Sequence, residues 1–160
     1  MMAQQQQWPT QSGCRAFYGV PGANPARLEL PFPMYLAWDT STVIKAFTIN
    51  AKCHSSANRV FKRILELYPT ESARKDCGIN LFSGCFNNRP MRGGSQLSMH
   101  AFACAIDFDD TRNQLKWGRK QARLAKPDCT PFWEAWEAEG WVSLGRTRDF
   151  DWMHVQAARL

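Results

Sequence analysis

The chain has 160 residues and a mass of 18.3 kDa. That is about one domain, long enough to bury roughly two thirds of the surface its unfolded form exposes, so neither a metal nor a disulfide is needed merely to give it a core. Its 44% hydrophobic and 21% charged residues are those of a folded soluble protein, and the lack of a long unbroken apolar run excludes a transmembrane helix. A net charge of +6 favours an anionic partner, for which nucleic acid, an acidic lipid surface and a charged polymer such as cell wall all qualify.

The opening "MMAQQQQWPTQSGC" has no basic segment followed by an apolar one, so no secretory signal is expected. Its glutamine run reads as a frayed end. Residues 1–37 carry Pro21, Pro25, Pro31 and Pro33 together with Gly13, Gly19 and Gly22. Each proline fixes a backbone angle and removes a donor, which predicts an extended, irregular arm. Trp8, Phe17, Tyr18, Leu28 and Leu30 predict that the arm packs rather than dangles.

Residues 42–49, with Val43, Ile44, Phe47 and Ile49, read as a strand. Ser55 or Ser56 can then cap a helix. Val60, Ile64 and Leu67 recur at helical spacing, Phe61, Leu65 and Tyr68 widen the stripe, and Pro69 ends it. His54, just before that helix, suits a surface or capping role. The apolar segment 79–86 leads into "NNRPMRGGSQ", a loop by its Asn and Gly content and so a place where sites are built. "AFACAIDF" reads as one mostly buried strand, and the basic run "KWGRKQARLAK" as a solvated helical turn before Pro127. Thr130 and Pro131 look like an N-cap and first-turn proline, with Gly140 just past the helix end. Phe132, Trp133 and Trp136 offer that helix to a core. "WVSL" reads as a short strand, "GRTRDFDW" as a turn or rim loop, and "MHVQAA" as extended. The six cysteines are widely spread with no CxxC pair, which predicts free, packed thiols rather than a zinc ribbon or thioredoxin-type site.

His100, Asp107 and His154 stand out, with Asp151 three positions before the last. Imidazole and carboxylate are common zinc ligands, and three of them leave a fourth position open for water. By spacing alone the same residues also read as a satisfied histidine at a loop–strand junction, a turn former at a strand end and a second packed polar group.

The stretch "SMHAFACAID" resembles the S-x-H-x-x-G-x-A-x-D signature of the zinc peptidases that comprise D-alanyl-D-alanine carboxypeptidases, VanY-like enzymes and the L-alanyl-D-glutamate endopeptidases of several bacteriophage endolysins. Ser98, His100, Ala105 and Asp107 occupy its fixed positions. "DWMH", with Asp151 and His154, is similar to the second signature of that group, and "NNRPMRG" offers its upstream arginine as Arg89, with Arg92 as a rival. The segment "WEAWEAEGWVSLG" resembles the helix and Gly-Trp turn that precede the second signature in phage members. The likeness spans residues 42–156. One position departs from it, because Ala103 stands where the group has glycine. An alanine there adds only a methyl if close packing is the need, but is strained if the backbone requires a positive φ.

The resemblance implies an α+β fold in one compact domain over residues 1–160, a small antiparallel sheet carrying the zinc ligands with helices flanking it. It implies Zn²⁺ held by His100, Asp107 and His154, with Asp151 as proton carrier and Arg89 facing the carbonyl oxygen or a substrate carboxylate. Ser98 then ties down the loop or a ligand rather than acting as nucleophile. The implied substrate is peptidoglycan. The implied life history is a monomer made in the host cytoplasm and released to the periplasm and cell wall by a pore-forming partner (holin), binding neither nucleic acid nor, stably, a membrane. A zinc-containing wall-binding or structural module without turnover is the alternative. Nucleic-acid binding rests only on the charge and the basic run, with no recognised motif behind it.

Overall fold

The computed structural model describes residues 7–91, 94 and 96–160. Gln4 to Gln6 of the glutamine run, together with Arg92 and Gly93, lie outside them. The chain forms an α+β domain around one mixed six-stranded sheet. The strands are β1 (Pro25–Leu36), β2 (Asp39–Asn50), β3 (Leu81–Gly84), β4 (Ala105–Phe108), β5 (Val142–Ser143) and β6 (His154–Gln156), in the order β2-β1-β3-β4-β6-β5. β1 and β3 run parallel and the other neighbours antiparallel. The expected small antiparallel sheet is therefore corrected. The long segment between β1 and β3 leaves room for a helical crossover, which a parallel pair requires.

The proline-rich arm is also more regular than expected, since most of its second half is β1. The prolines fit because Pro25 opens the strand, while Pro31 and Pro33 fall where the pairing with β2 shifts register, between Glu29 and Met34. Proline is tolerated at such irregularities because no ladder bond is lost there. Upstream, a short 3-10 helix (Gln11–Gly13) leads into α1 (Cys14–Tyr18). Trp8, Tyr18 and Leu28 are buried, and the Tyr18 hydroxyl donates to the Ala157 carbonyl at 2.6 Å.

α2 (Ala51–Leu67) begins earlier than the serines suggested. Asn50 caps it, its Oδ1 accepting from the Lys52 N–H at 3.0 Å, so Ser55, Ser56 and His54 lie inside the helix. Val60, Phe61 and Ile64 form its buried stripe. α3 (Glu71–Cys77) follows Pro69 and ends at Gly78, which takes φ 79°. α4 (Thr130–Glu137) carries Pro131 in its first turn, with Cys129 rather than Thr130 at the cap. Phe61, Phe108, Phe132 and Trp136 meet in a mostly edge-on aromatic cluster between α2, α4 and the sheet, with Phe61 and Trp136 centroids 5.5 Å apart. Rings with a positive edge and negative face prefer that arrangement. α5 (Leu144–Arg148), capped by Ser143 Oγ on the Arg146 N–H, takes up the last residue of the expected "WVSL" strand and the first half of the segment expected as a rim loop. The basic run 116–126 is turns, ending in a 3-10 helix (Arg123–Ala125) that buries Leu124. All six cysteines are free and buried.

Candidate metal centre

The stretch 101–108 is not one strand. Ala101 and Phe102 belong to a 3-10 helix (Met99–Phe102), Ala103 and Cys104 lead out of it, and only Ala105–Phe108 is β4, so His100 is not borne by the sheet as expected. Ser98 caps this helix, its Oγ accepting the His100 N–H at 3.2 Å. The loop after β3 is pinned to it by three contacts. His100 Nδ1 meets the Cys85 carbonyl at 2.8 Å, the Asn87 N–H donates to the His100 carbonyl at 3.0 Å, and the Ser98 N–H donates to the Arg89 carbonyl at 2.9 Å. The helix ends at Ala103 with φ 53° and ψ 35°. This settles the two cases posed above: the backbone is left-handed, so the alanine is strained.

The sheet supplies the other two groups. Asp107 on β4 pairs directly with His154 on β6, which brings two side chains 47 positions apart onto one face. His100 Nε2 lies 3.1 Å from Asp107 Oδ2, and His154 Nδ1 lies 3.0 Å from Asp107 Oδ1. The imidazole rings cross at 81° with centroids 5.1 Å apart, and the ligand atoms of all three residues lie within 4.8 Å of one another. Both histidines are buried.

Hydrogen bonds to the far side of each ring decide which nitrogen faces the centre. A carbonyl oxygen only accepts, so His100 Nδ1 donates to Cys85 and its Nε2 keeps the lone pair. Gln156 Nε2 donates to the Ala158 carbonyl and to Gln11 Oε1, both at 3.0 Å. That orients its Oε1 toward His154 Nε2, 2.8 Å away, which must therefore donate. In neutral rings, two lone pairs then face a carboxylate, acceptor against acceptor. Such a cluster needs a cation among its members, either a proton or a metal ion. Outer partners of this kind fix tautomer and ring orientation at metal sites. Gln156 and Gln11 escaped the sequence reading. Gln156 was findable as the same-face neighbour of His154 at i+2, whereas nothing local marks Gln11.

The electrostatics agree. Burial disfavours a charged His154, but its hydrogen bond to Asp107 and the charges of Asp107 and Asp151 outweigh this and push it up to about 9. Burial likewise works against an ionised Asp107, yet the two histidines hold it well below the usual carboxylate range. The pocket thus stabilises one negative charge and favours a positive one beside it.

Two hollows, of about 600 Å³ and about 200 Å³, share Arg89, His100, Asp107, Leu115 and Met153, so the cluster sits in the wall of a groove. Asp151 lines the smaller hollow. Its Oδ2 is 3.9 Å from His154 Nδ1. Its backbone is left-handed at φ 53° and is held by its N–H on the Leu115 carbonyl at 2.8 Å. Strain of this type persists where surrounding structure enforces it. Half-buried Arg89 lines both hollows and donates to its neighbour Pro90 through Nη1 at 3.2 Å. Its rival Arg92 is outside the described residues.

A second group, Cys77, Asp128 and Cys129, meets the same distance criterion. Among the described residues, two clusters are thus geometrically able to hold a metal ion, and of these two the first opens into the groove with a carboxylate and an arginine beside it. No family model, curated protein or solved structure matches the chain.

Proposed function

We propose that the chain is a zinc-dependent peptidoglycan peptidase of the D-alanyl-D-alanine carboxypeptidase and L-alanyl-D-glutamate endopeptidase group, acting as an endolysin. The observation that carries this reading is the convergence of His100 Nε2, His154 Nδ1 and the Asp107 carboxylate in a groove wall that also holds Asp151 and Arg89. The order of the two sequence signatures supports the same reading.

His100, Asp107 and His154 would hold the ion, and their two nitrogens and one carboxylate are the donor set that zinc favours. When bound, zinc supplies Lewis acidity and makes water a nucleophile at neutral pH. Asp151 takes the proton of the attacking water and returns one to the leaving amine, which requires a carboxylate near both. Arg89 offsets the charge growing on the carbonyl oxygen or grips a free carboxylate of the stem peptide. The positive net charge concentrates the protein on an anionic wall, which it reaches from the host cytoplasm through a pore-forming partner.

The test is digestion of purified peptidoglycan followed by mass spectrometry of the products. The wild type should release new amines, a chelator should abolish this, and Asp151→Asn should lower turnover by about 10²–10⁴-fold while zinc remains bound. A wall-binding module without turnover would instead bind the wall and release nothing in any sample.

A further inference from the structure

We propose that Cys77 and Cys129 form a redox-active dithiol that closes to a disulfide under a small peroxide oxidant. This stands independently of the proposed peptidase activity, because the pair lies away from the groove.

Cys77 ends α3 and Cys129 ends the 3-10 helix (Pro127–Cys129) that runs into α4. Their sulphurs and the Asp128 carboxylate lie within 4.8 Å of one another. Asp128 Oδ2 is 3.6 Å from Cys77 Sγ and Oδ1 is 3.6 Å from Cys129 Sγ. Arg123 spans the opening. It grips Asp128 with a fork at 2.9 and 2.7 Å and places the same two nitrogens 3.3 Å from Cys129 Sγ and 4.0 Å from Cys77 Sγ.

That fork separates dithiol chemistry from metal binding. A divalent ion among these ligands would sit against a guanidinium that already occupies both carboxylate oxygens. Burial raises both thiols and the Asp128 charge adds to this, while the Arg123 guanidinium beside both sulphurs works the other way and favours a thiolate. Asp128 is half-exposed, with 50% of its side chain open to solvent, and Arg123 is at 20%, so water meets the fork directly above the sulphurs. Cys77, at 3% exposure, is the outer sulphur and Cys129, at 0%, the inner one.

The chemistry balances in two steps. Cys77 is oxidised by hydrogen peroxide to a sulfenic acid, the O–O bond breaks and one water leaves. Cys129 Sγ then attacks the Cys77 sulphur, the S–S bond forms and the sulfenic oxygen leaves as a second water. Two thiols and one peroxide thus give one disulfide and two waters. The sulphurs need only close to about 2 Å. The bridge would tie α3 to the segment 113–129, whose early residues Leu115, Lys116 and Trp117 form one side of the groove.

The experiment treats the whole purified chain with hydrogen peroxide, removes the excess, counts thiols and maps disulfides by mass spectrometry without reduction. The expected result is the loss of two thiols, a mass lower by two hydrogen atoms, a Cys77–Cys129 linked peptide and an unfolding temperature higher by roughly 5–10 °C, reversed by a reductant. Cys129→Ala should abolish the link and leave Cys77 to oxidise further. Six intact thiols, a bridge between other cysteines, or oxygen addition at Cys77 in the wild type would each overturn the proposal. So would zinc titration showing a second ion that shields both thiols from peroxide. The wild-type peptide map decides the matter even if the variant does not fold.

Discussion

His154 shows how one residue links the chemistry of the site to the stability of the fold. Its ordinary value is 6.5 and the folded metal-free chain raises it to about 9. A group whose folded value is raised binds its proton more tightly when folded, so its contribution is complete below about pH 6.5 and is lost as pH rises through about 9. Chelator-treated protein should therefore lose stability across that window in denaturant titrations, and His154→Asn should lose this slope. Zinc must displace the same proton, so its apparent affinity should climb over the same range and level off above it. A wild-type slope no different from that of the variant would count against the His154–Asp107 pairing. Ala103 carries a second consequence at this scale. Its left-handed φ of 53° costs an alanine about 1–2 kcal/mol, partly offset by the greater chain entropy a glycine loses on folding. Ala103→Gly should thus stabilise the protein by about 0.5 kcal/mol, read from the midpoint of chemical unfolding. A loss of stability would mean that the buried methyl packs better than its backbone is strained.

At the scale of elements, α5 is held against the site by a contact only glycine allows. A Cβ on Gly145 would overlap the indole of Trp152, which lies between Asp151 and strand β6. Gly145→Ala should destabilise by about 1–3 kcal/mol, as overpacked cores do, and thermal unfolding would check it. An unchanged midpoint would show that Trp152 can move aside freely. Elements written in local pattern were legible in the sequence: the stripe of Val60, Phe61 and Ile64 gave α2 and the β-rich run from Thr42 to Ile49 gave much of β2. β1 was hidden because Pro31 and Pro33 argue against a strand, and only the register shift with β2 makes room for them. The start of α2 was misplaced although Asn50 is itself a strong cap. α5 was missed because five residues with two arginines carry too little periodicity to mark a helix. The run from Ala101 to Phe108 concealed a break at Ala103, since alanine gives no warning of a left-handed turn.

For the whole molecule, the sheet order is what composition and periodicity cannot supply. Two helices lie between β1 and β3, and nothing local states that the strands return in parallel. The site was legible only in the order of its signatures. His100, Asp107 and His154 are unremarkable by spacing, and it is the register of β4 on β6 that sets two of them face to face. The outer partners were less visible still, because Gln11 enters from the opposite end of the chain. Everything proposed for turnover depends on one cation being held by these three side chains. The most direct measurement is zinc titration by calorimetry, with elemental analysis, of the metal-stripped wild type, His154→Ala and Asp151→Asn. One zinc bound by the wild type and by Asp151→Asn, but lost or greatly weakened in His154→Ala, is the predicted result. Equal binding by His154→Ala, or no zinc bound by a folded wild type, would contradict it.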